Sequence, residues 1–326
     1  MTRRVQSWTN MLKFMIEKPK TTSLYILYPI SRSKLASKIS NTATELGLKT
    51  VKFEVNPEND FEEAPKYLSS ILDNLKENDF LIVLRKEDFI NKLKLNTHFN
   101  TYSGLTNGKG KSCVLHMMID DSNLTDLCNI DYEEIYDYTL NLRRKLEKAK
   151  KIRIRTPIGT ELTFHPRKWN VVPLKPDDEI KNALLPAGQV YTAPIENKTN
   201  GTIVIDRSIS EFPVDFKDII PFPEIKNEIK LKIQKGKIVE IKGDSEAKFL
   251  RDECLSKVDK NGWIVSEVTL GTNPRKNNSP LAAIQEVLRD TIHFGFGLNT
   301  HLGGDLVSNV HWDAVIEFDH EHVEIY

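Results

Sequence analysis

Ser23-Leu-Tyr-Ile-Leu-Tyr-Pro29, then Ser33 to Leu46 closed by Gly47, then Lys49-Thr-Val-Lys-Phe-Glu-Val55: the reading of this stretch decides the fold. Its first and last segments are short runs of aliphatic, aromatic and β-branched residues, the make-up of strands. The middle segment carries apolar residues at helical spacing and ends at a glycine, the residue that most readily takes the left-handed turn closing a helix. Strand, helix and strand in that order imply two parallel strands with a helix crossing over one face of their sheet. Further along, 65–78 reads as another helix and Asp79-Phe-Leu-Ile-Val-Leu84 as a fully buried strand, so the alternation continues.

The stretch Gly104-Leu-Thr-Asn-Gly-Lys-Gly-Lys-Ser112 ends in the Gly-Lys-Ser of a phosphate-binding loop, but the opening glycine of that motif would have to stand where Leu105 is, so a solvent loop is the reading. Residues 132–150 form a charged amphipathic helix, with Leu140, Leu142 and Leu146 marking its inner side. At Lys151 the texture changes to short alternating strands. Ile152 to Thr163 turns at Pro157 to Gly159, Gly201-Thr-Ile-Val-Ile205 follows, and Ile229 to Ile233 pairs with Lys237 to Ile241 across Lys235-Gly236. A helix over 245–258 and a strand over 263–270 complete the pattern. The expected fold class is α/β: an N-terminal, mostly parallel α/β sheet domain over 1–150, then a β-rich α+β domain over 151–326.

The 326 residues carry 46 Lys and Arg against 46 Asp and Glu, so no net field draws the chain to nucleic acid or to an anionic membrane. A small-molecule or short-peptide partner is expected instead. Cys113, Cys128 and Cys254 are odd in number and widely spaced, which argues for reduced thiols, not a disulfide framework or a zinc ribbon. No window approaches the roughly 20 apolar residues of a membrane span, and charges interrupt the apolar residues of 11–18 before a secretory core forms, so a cytoplasmic location is expected.

The chemistry concentrates in 291–317, where His293, His301, Asp305, His311 and Asp313 stand among glycines and run into the strand-like Trp312-Asp-Ala-Val-Ile316. Residues two apart on a strand face the same side, so His311 and Asp313 present an imidazole and a carboxylate together, a pair suited to a divalent metal or to a strand-edge hydrogen bond. Glu267 lies in an otherwise apolar strand, where an unpaired carboxylate would cost several kcal/mol.

Five ordered blocks carry a resemblance: Ile152-Arg-Ile-Arg-Thr-Pro-Ile-Gly-Thr-Glu-Leu-Thr, Leu185-Pro-Ala-Gly-Gln-Val-Tyr-Thr-Ala-Pro, Asn200-Gly-Thr-Ile-Val-Ile-Asp, Glu267-x-x-Leu-Gly-Thr-Asn-Pro, and His293-x-Gly-x-Gly-x-Asn with His311-x-Asp313. Together they resemble the superfamily of aminopeptidase T metallopeptidases, which includes 2,5-dihydroxypyridine 5,6-dioxygenase. The resemblance implies a metal site between the domains, with Glu267, His293, His311 and Asp313 on ligand positions. In the peptidase branch a glutamate stands where this chain has Gln189 and helps to hold two ions.

That departure bears on metal number. Two divalent ions 3.5–4 Å apart repel by about 15–20 kcal/mol at an effective dielectric near 20, and anionic bridges must offset this where a neutral amide cannot. Gln189 therefore argues for one ion, Fe(II) first, with Zn, Co or Mn as alternatives. A lone ion on Glu267, His311 and Asp313 resembles the mononuclear iron centre of the dioxygenase branch, close to the two-histidine-one-carboxylate arrangement of non-haem oxygenases. His293 and His301 would move protons, His293 being also a ligand candidate, and Gln189, Asn299 and Asp305 would face the substrate or support the ligands. Three readings stay open: a dioxygenase-like enzyme, a metal-dependent aminopeptidase or amide hydrolase, and a degenerate member that binds without catalysis. The resemblance also implies a homo-oligomer.

Overall fold

Behind α1 (Arg3–Ile16), strands β1 (Ser23–Pro29) and β2 (Lys49–Val55) lie parallel, Ser23 opposite Lys49 and Pro29 opposite Val55, with α2 (Ser33–Glu45) as the crossover. The helix closes as expected: Leu46 caps it, Gly47 takes φ 85°, and the Leu48 amide donates to the Ala43 carbonyl at 3.0 Å. The computed structural model describes residues 3–16, 23–56, 71, 73–76, 79–84, 112–116, 119–172, 182–210, 212–214, 218–319 and 323–325. The loop expected at 104–111, and most of the helix expected over 65–78, lie outside these. Strands β3 (Phe80–Val83), β4 (Ser112–His116) and β8 (Asn182–Leu185) extend the sheet, every pairing parallel, in the order β2-β1-β3-β4-β8. Leu24, Ile26 and Leu27 on β1 and Leu81, Ile82 and Val83 on β3 are all buried, so neither face of these central strands is left to solvent.

Two compact units make up the chain, one of Met1–Tyr136 with Val172–Ala187, the other of Asp137–Val171 with Gly188–Tyr326. A single cut between 150 and 151 has no place for that return. Strand β8 pairs Asn182 with Cys113 and Leu185 with His116, which puts Val172–Ala187 back into the first unit. Helix α3 (Asp121–Leu127) starts at Asp120, whose carboxylate accepts from the Ser122 and Asn123 amides, and α4 (Tyr132–Leu146) follows.

The second unit holds two antiparallel sheets. In one, β5 (Ile152–Arg155), β6 (Glu161–Phe164), β10 (Asn200–Ile205), β14 (Ile229–Gln234), β15 (Lys237–Lys242) and β19 (Val323–Ile325) are ordered β15-β14-β10-β6-β5-β19. On β14, Ile229, Leu231 and Ile233 are buried while Lys230, Lys232 and Gln234 are exposed. Its hairpin turns at Lys235 (φ 49°) and Gly236 (φ 80°), the left-handed pair that suits the twist of tight hairpins. In the other sheet, β7 (Asn170–Val172), β9 (Gln189–Thr192), β11 (Ser208–Ile209), β16 (Val265–Gly271), β17 (Thr291–Gly297) and β18 (His311–Glu317) are ordered β11-β18-β17-β16-β9-β7. A ribbon of β12 (Phe212–Val214) and β13 (Asp218–Ile220) is separate.

The helix expected over 245–258 is an irregular run: α5 (Ser245–Phe249), a π turn at Leu250–Cys254 and a 3-10 turn at Leu255–Lys257. A last short helix, α6 (Ala282–Gln285), packs against β18. Cys128 and Cys254 are free and buried, and burial pushes both thiols up to about 12, so neither is reactive. Among the described residues no helix is long and apolar enough to cross a membrane.

Candidate metal centre

Register on three neighbouring strands gathers the charged side chains. Glu267 on β16 stands opposite Gly295 on β17, and Gly295 stands opposite Asp313 on β18; one step along, Thr269 faces His293, and Gly297 faces His311. Directly opposed residues of an antiparallel pair share a face, so Glu267, Thr269, His293, His311 and Asp313 project together. The other face locks this register. Phe296 opposes Trp312 with rings stacked at 4.2 Å, and the Trp312 indole donates to the Gly262 carbonyl at 2.9 Å.

A glycine at 295 is what lets the side chains meet. A Cβ there would lie 2.6 Å from the Cβ of Glu267 and 3.0 Å from both Asp313 Oδ1 and His311 Cε1. With that space open, His311 Nε2 comes within 3.2 Å of Glu267 Oε2 and 3.3 Å of Asp313 Oδ1, while His293 Nε2 is 3.5 Å from Glu267 Oε1. The Thr269 hydroxyl donates to Glu267 Oε1. His311 Nδ1 donates to the Leu298 carbonyl at 2.7 Å, which fixes the tautomer and turns Nε2 toward the carboxylates.

Two overlapping sets of donors result. Glu267, His293 and Asp313 offer atoms within 4.8 Å of one another, and so do Glu267, His301 and His311. His301 arrives on a 3-10 turn (Thr300–Leu302), its ring edge-on to His311 with centroids 5.1 Å apart. Without a cation the electrostatics are those of anions held by protons. Burial works against the charge of Glu267, yet its contacts with His293 and His311 outweigh that and hold the carboxyl well below its usual range. Burial likewise opposes charge on both imidazoles, but Glu267 and Asp313 raise His293 to about 9 and His311 well above its ordinary value. His301 moves the other way, to about 4, through burial and then the positive charge of His311.

Glu286 gives no sequence signal, because no motif or spacing around 281–288 sets its carboxylate apart. The structure places it at the end of α6, only 7% exposed, close enough to the cluster for Asp313 and Glu267 to add to burial and lift it to about 8. The end of β16 secures this turn. Asn273 donates its amide to the Val287 carbonyl and accepts from the Arg289 amide, both at 2.8 Å, and a Cβ at Gly271 would lie 1.9 Å from the Leu288 oxygen. Tyr191, opposite Thr269, is a second addition; burial and then Glu267 raise its phenol.

Gln189 is 6% exposed and lies opposite Gly271, while the Thr272 amide donates to the Gly188 carbonyl at 2.8 Å, so the Pro-Ala-Gly-Gln and Leu-Gly-Thr-Asn-Pro blocks are joined through their backbones. Asn299 is taken up by scaffold: its amide nitrogen donates to Glu196 Oε1 at 2.8 Å and to the Ser266 carbonyl at 3.3 Å, and its oxygen accepts from the Leu306 amide at 2.8 Å. Asp305 is not in the cluster. Its side chain is 93% exposed and pairs with Arg167 at 3.3 Å, because the loop turns outward after Gly304.

A family model described as NicX: 2,5-dihydroxypyridine 5,6-dioxygenase matches residues 5–318. Among curated proteins, the 2,5-dihydroxypyridine 5,6-dioxygenase of Pseudomonas putida (strain KT2440) is 28% identical over 137 residues; the match spans 39% of this chain and only 37% of that protein. The solved structure of 2,5-dihydroxypyridine dioxygenase from Pseudomonas putida KT2440 is similar with a TM-score of 0.72, over 100% of this chain and 94% of that one, at 18% identity. Wild-type AmpT from Thermus thermophilus is similar with a TM-score of 0.62, over 98% and 96%, at 13% identity. At these identities the two structures speak to fold: a mixed α/β chain with this arrangement of sheets. The match over 5–318, nearly the whole chain, makes this chain a member of the 2,5-dihydroxypyridine 5,6-dioxygenase family.

Proposed function

We propose that this chain is a metal-dependent enzyme with a single-ion site on Glu267, His311 and Asp313, assisted by His293, and that it opens a small hydroxylated ring with dioxygen. The observation that carries the reading is the convergence of these donors on one sheet face, with His311 Nε2 between two carboxylates and its Nδ1 committed to a carbonyl. The set suits a divalent cation. His293 Nδ1 is buried with no hydrogen-bond partner among the described residues, and Gly295 leaves the space in which the side chains meet. Fe(II) bound there would supply the Lewis acidity and the electrons that dioxygen chemistry requires.

The chain's own groups supply the rest. His301, neutral at physiological pH with its value near 4, is the imidazole suited to receive the proton of a ring hydroxyl, and His293, held protonated by Glu267 and Asp313, is the one suited to return it. His311 and Asp313 are half-buried, so the donors remain reachable by a small molecule. Anaerobic loading with iron tests this. Oxygen uptake on adding a dihydroxylated pyridine or catechol, lost in His311→Ala, is the expected result; no uptake with any hydroxylated ring in iron-loaded protein would sink it.

A specific observation favours the second reading, a metal-dependent amide hydrolase like the aminopeptidases. Glu286 brings a third carboxyl group beside Asp313 and Glu267; burial and those two carboxylates keep its proton on, but a second cation would ionise it and so gain the negative charge that Gln189 lacks, which weakens the electrostatic case against two ions. Two zinc or cobalt ions per chain, with cleavage of amino-acid amides, would decide for it.

Metal affinity should rise with pH. When no cation is bound, His293 and His311 hold protons, with values of about 9 and well above the ordinary one, and an imidazole must lose its proton to bind a cation. From pH 6 to 8 the binding constant is expected to grow about tenfold per pH unit for one proton displaced and about a hundredfold for two. Calorimetric titration in buffers of different ionisation enthalpy reads the number directly; a flat profile would contradict the ligand assignment.

A further inference from the structure

We propose that His301 is a metal ligand, completing with Glu267 and His311 a two-histidine-one-carboxylate seat that overlaps the Glu267, His293 and Asp313 seat, so that the nature of the cation decides which seat it takes. The inference rests on the single-ion reading above and changes the ligand roles in it: an ion in the nitrogen-rich seat leaves Asp313 aside, takes His301 out of proton transfer and leaves that task to His293.

Position comes first. Donor atoms of Glu267, His301 and His311 lie within 4.8 Å of one another, as close as those of the other set, and Glu267 belongs to both. From the sequence, His301 is a glycine-flanked loop histidine, yet the loop that carries it is built. Asn299 ties its start to Glu196, Ser266 and Leu306. The Gly304 amide donates to the Asn299 carbonyl at 3.0 Å, and a Cβ at Gly304 would lie 2.2 Å from Asn299 Oδ1. Gly303 takes φ 86°, the left-handed conformation that turns the chain back. Constraints on Asn299, Gly303 and Gly304 put the imidazole edge-on to His311 at 5.1 Å, the placement of two rings that converge on one point from different directions.

Chemistry then separates the seats. One offers two imidazole nitrogens and one carboxylate; the other offers one imidazole and two carboxylates. Borderline ions such as Fe(II), Co(II) and Zn(II) favour imidazole, whereas Mn(II) favours oxygen. The shared Glu267 makes the seats alternatives for a single cation, and the choice between them is set by the donors on either side of it.

Metal binding to the purified full chain, stripped of metal, tests this without reference to turnover. Co(II) is followed by its visible absorption and Mn(II) by the electron paramagnetic resonance of the free ion. In His301→Ala the Co(II) affinity is expected to fall about tenfold or more, with a changed spectrum, while Mn(II) binding stays within about threefold of the parent. Asp313→Asn should show the reverse preference. His301→Gly with added imidazole should recover the parent Co(II) spectrum, which a purely structural role for the ring would not produce, and circular dichroism confirms that each variant is folded. Unchanged Co(II) binding in His301→Ala, equal loss of both metals, or no imidazole recovery overturns the proposal and leaves the site on Glu267, His311 and Asp313 standing. A parent chain that binds neither ion overturns both readings.

Discussion

Glu267→Gln should empty the site while leaving the chain folded. Glu267 is the one residue common to both donor sets, and its two oxygens face different imidazoles, Oε1 toward His293 and Oε2 toward His311. An amide keeps the shape and an oxygen to accept from Thr269, but it removes the charge that attracts the cation. A loss of about a hundredfold or more in affinity is expected, since disturbing groups that merely support ligands already costs 10–100-fold. The folding cost should be far smaller. Removing one partner of a buried ion pair costs about 3–5 kcal/mol when the other charge is stranded, but His293 and His311 can release their protons and become neutral. Elemental analysis together with thermal melts checks both halves. A variant that retains about one ion per chain would remove Glu267 from the centre of the scheme.

Gly295→Ala is expected to be nearly as damaging, although glycine has no donor to lose. The added Cβ would sit 2.6 Å from the Cβ of Glu267, a rigid atom next to the backbone, and 3.0 Å from Asp313 Oδ1 and His311 Cε1. Three neighbours would have to shift at once. Strand pairing on both sides, Glu267 opposite 295 and 295 opposite Asp313, leaves little freedom to do so. Overpacking of this kind costs about 1–3 kcal/mol, and the displacement falls on the donors themselves. A melting temperature lowered by several degrees with metal binding reduced about tenfold or more is the expected pair of results. Parent-like metal binding in the alanine variant would show that the donors need not converge at this row.

What could be read from the chain alone was what local pattern encodes. Ser23 to Val55 declares strand, helix and strand because apolar period and the Gly47 stop agree, and the Lys235-Gly236 hairpin declares itself by alternation around a left-handed pair. The cluster of Glu267, His293, His311 and Asp313 came from the order of its motif blocks, with strand period adding that His311 and Asp313 share a face. The return of Asn182–Leu185 to the first sheet was not legible, since its warrant is a pairing between Asn182 and Cys113, far apart in the chain. Glu286 stayed hidden for the same reason: contacts between distant segments, the clamp of Asn273 on Val287 and Arg289 among them, carry it to Asp313. Asp305 was expected to face the substrate or support the ligands because it stands among the late histidines, whereas the direction the loop takes after Gly304, toward Arg167, is a property of the fold.

The acceptor that holds His311 in its tautomer is the main-chain oxygen of Leu298, not a side chain. No substitution at 298 deletes that oxygen. Sequence drift in the loop can therefore alter what surrounds the reacting molecule while the imidazole keeps its proton on the same nitrogen. Over generations this would leave the metal-facing lone pair insensitive to point changes and concentrate diversification on selectivity, a division of mutational risk that a carboxylate acceptor in the same place would not provide.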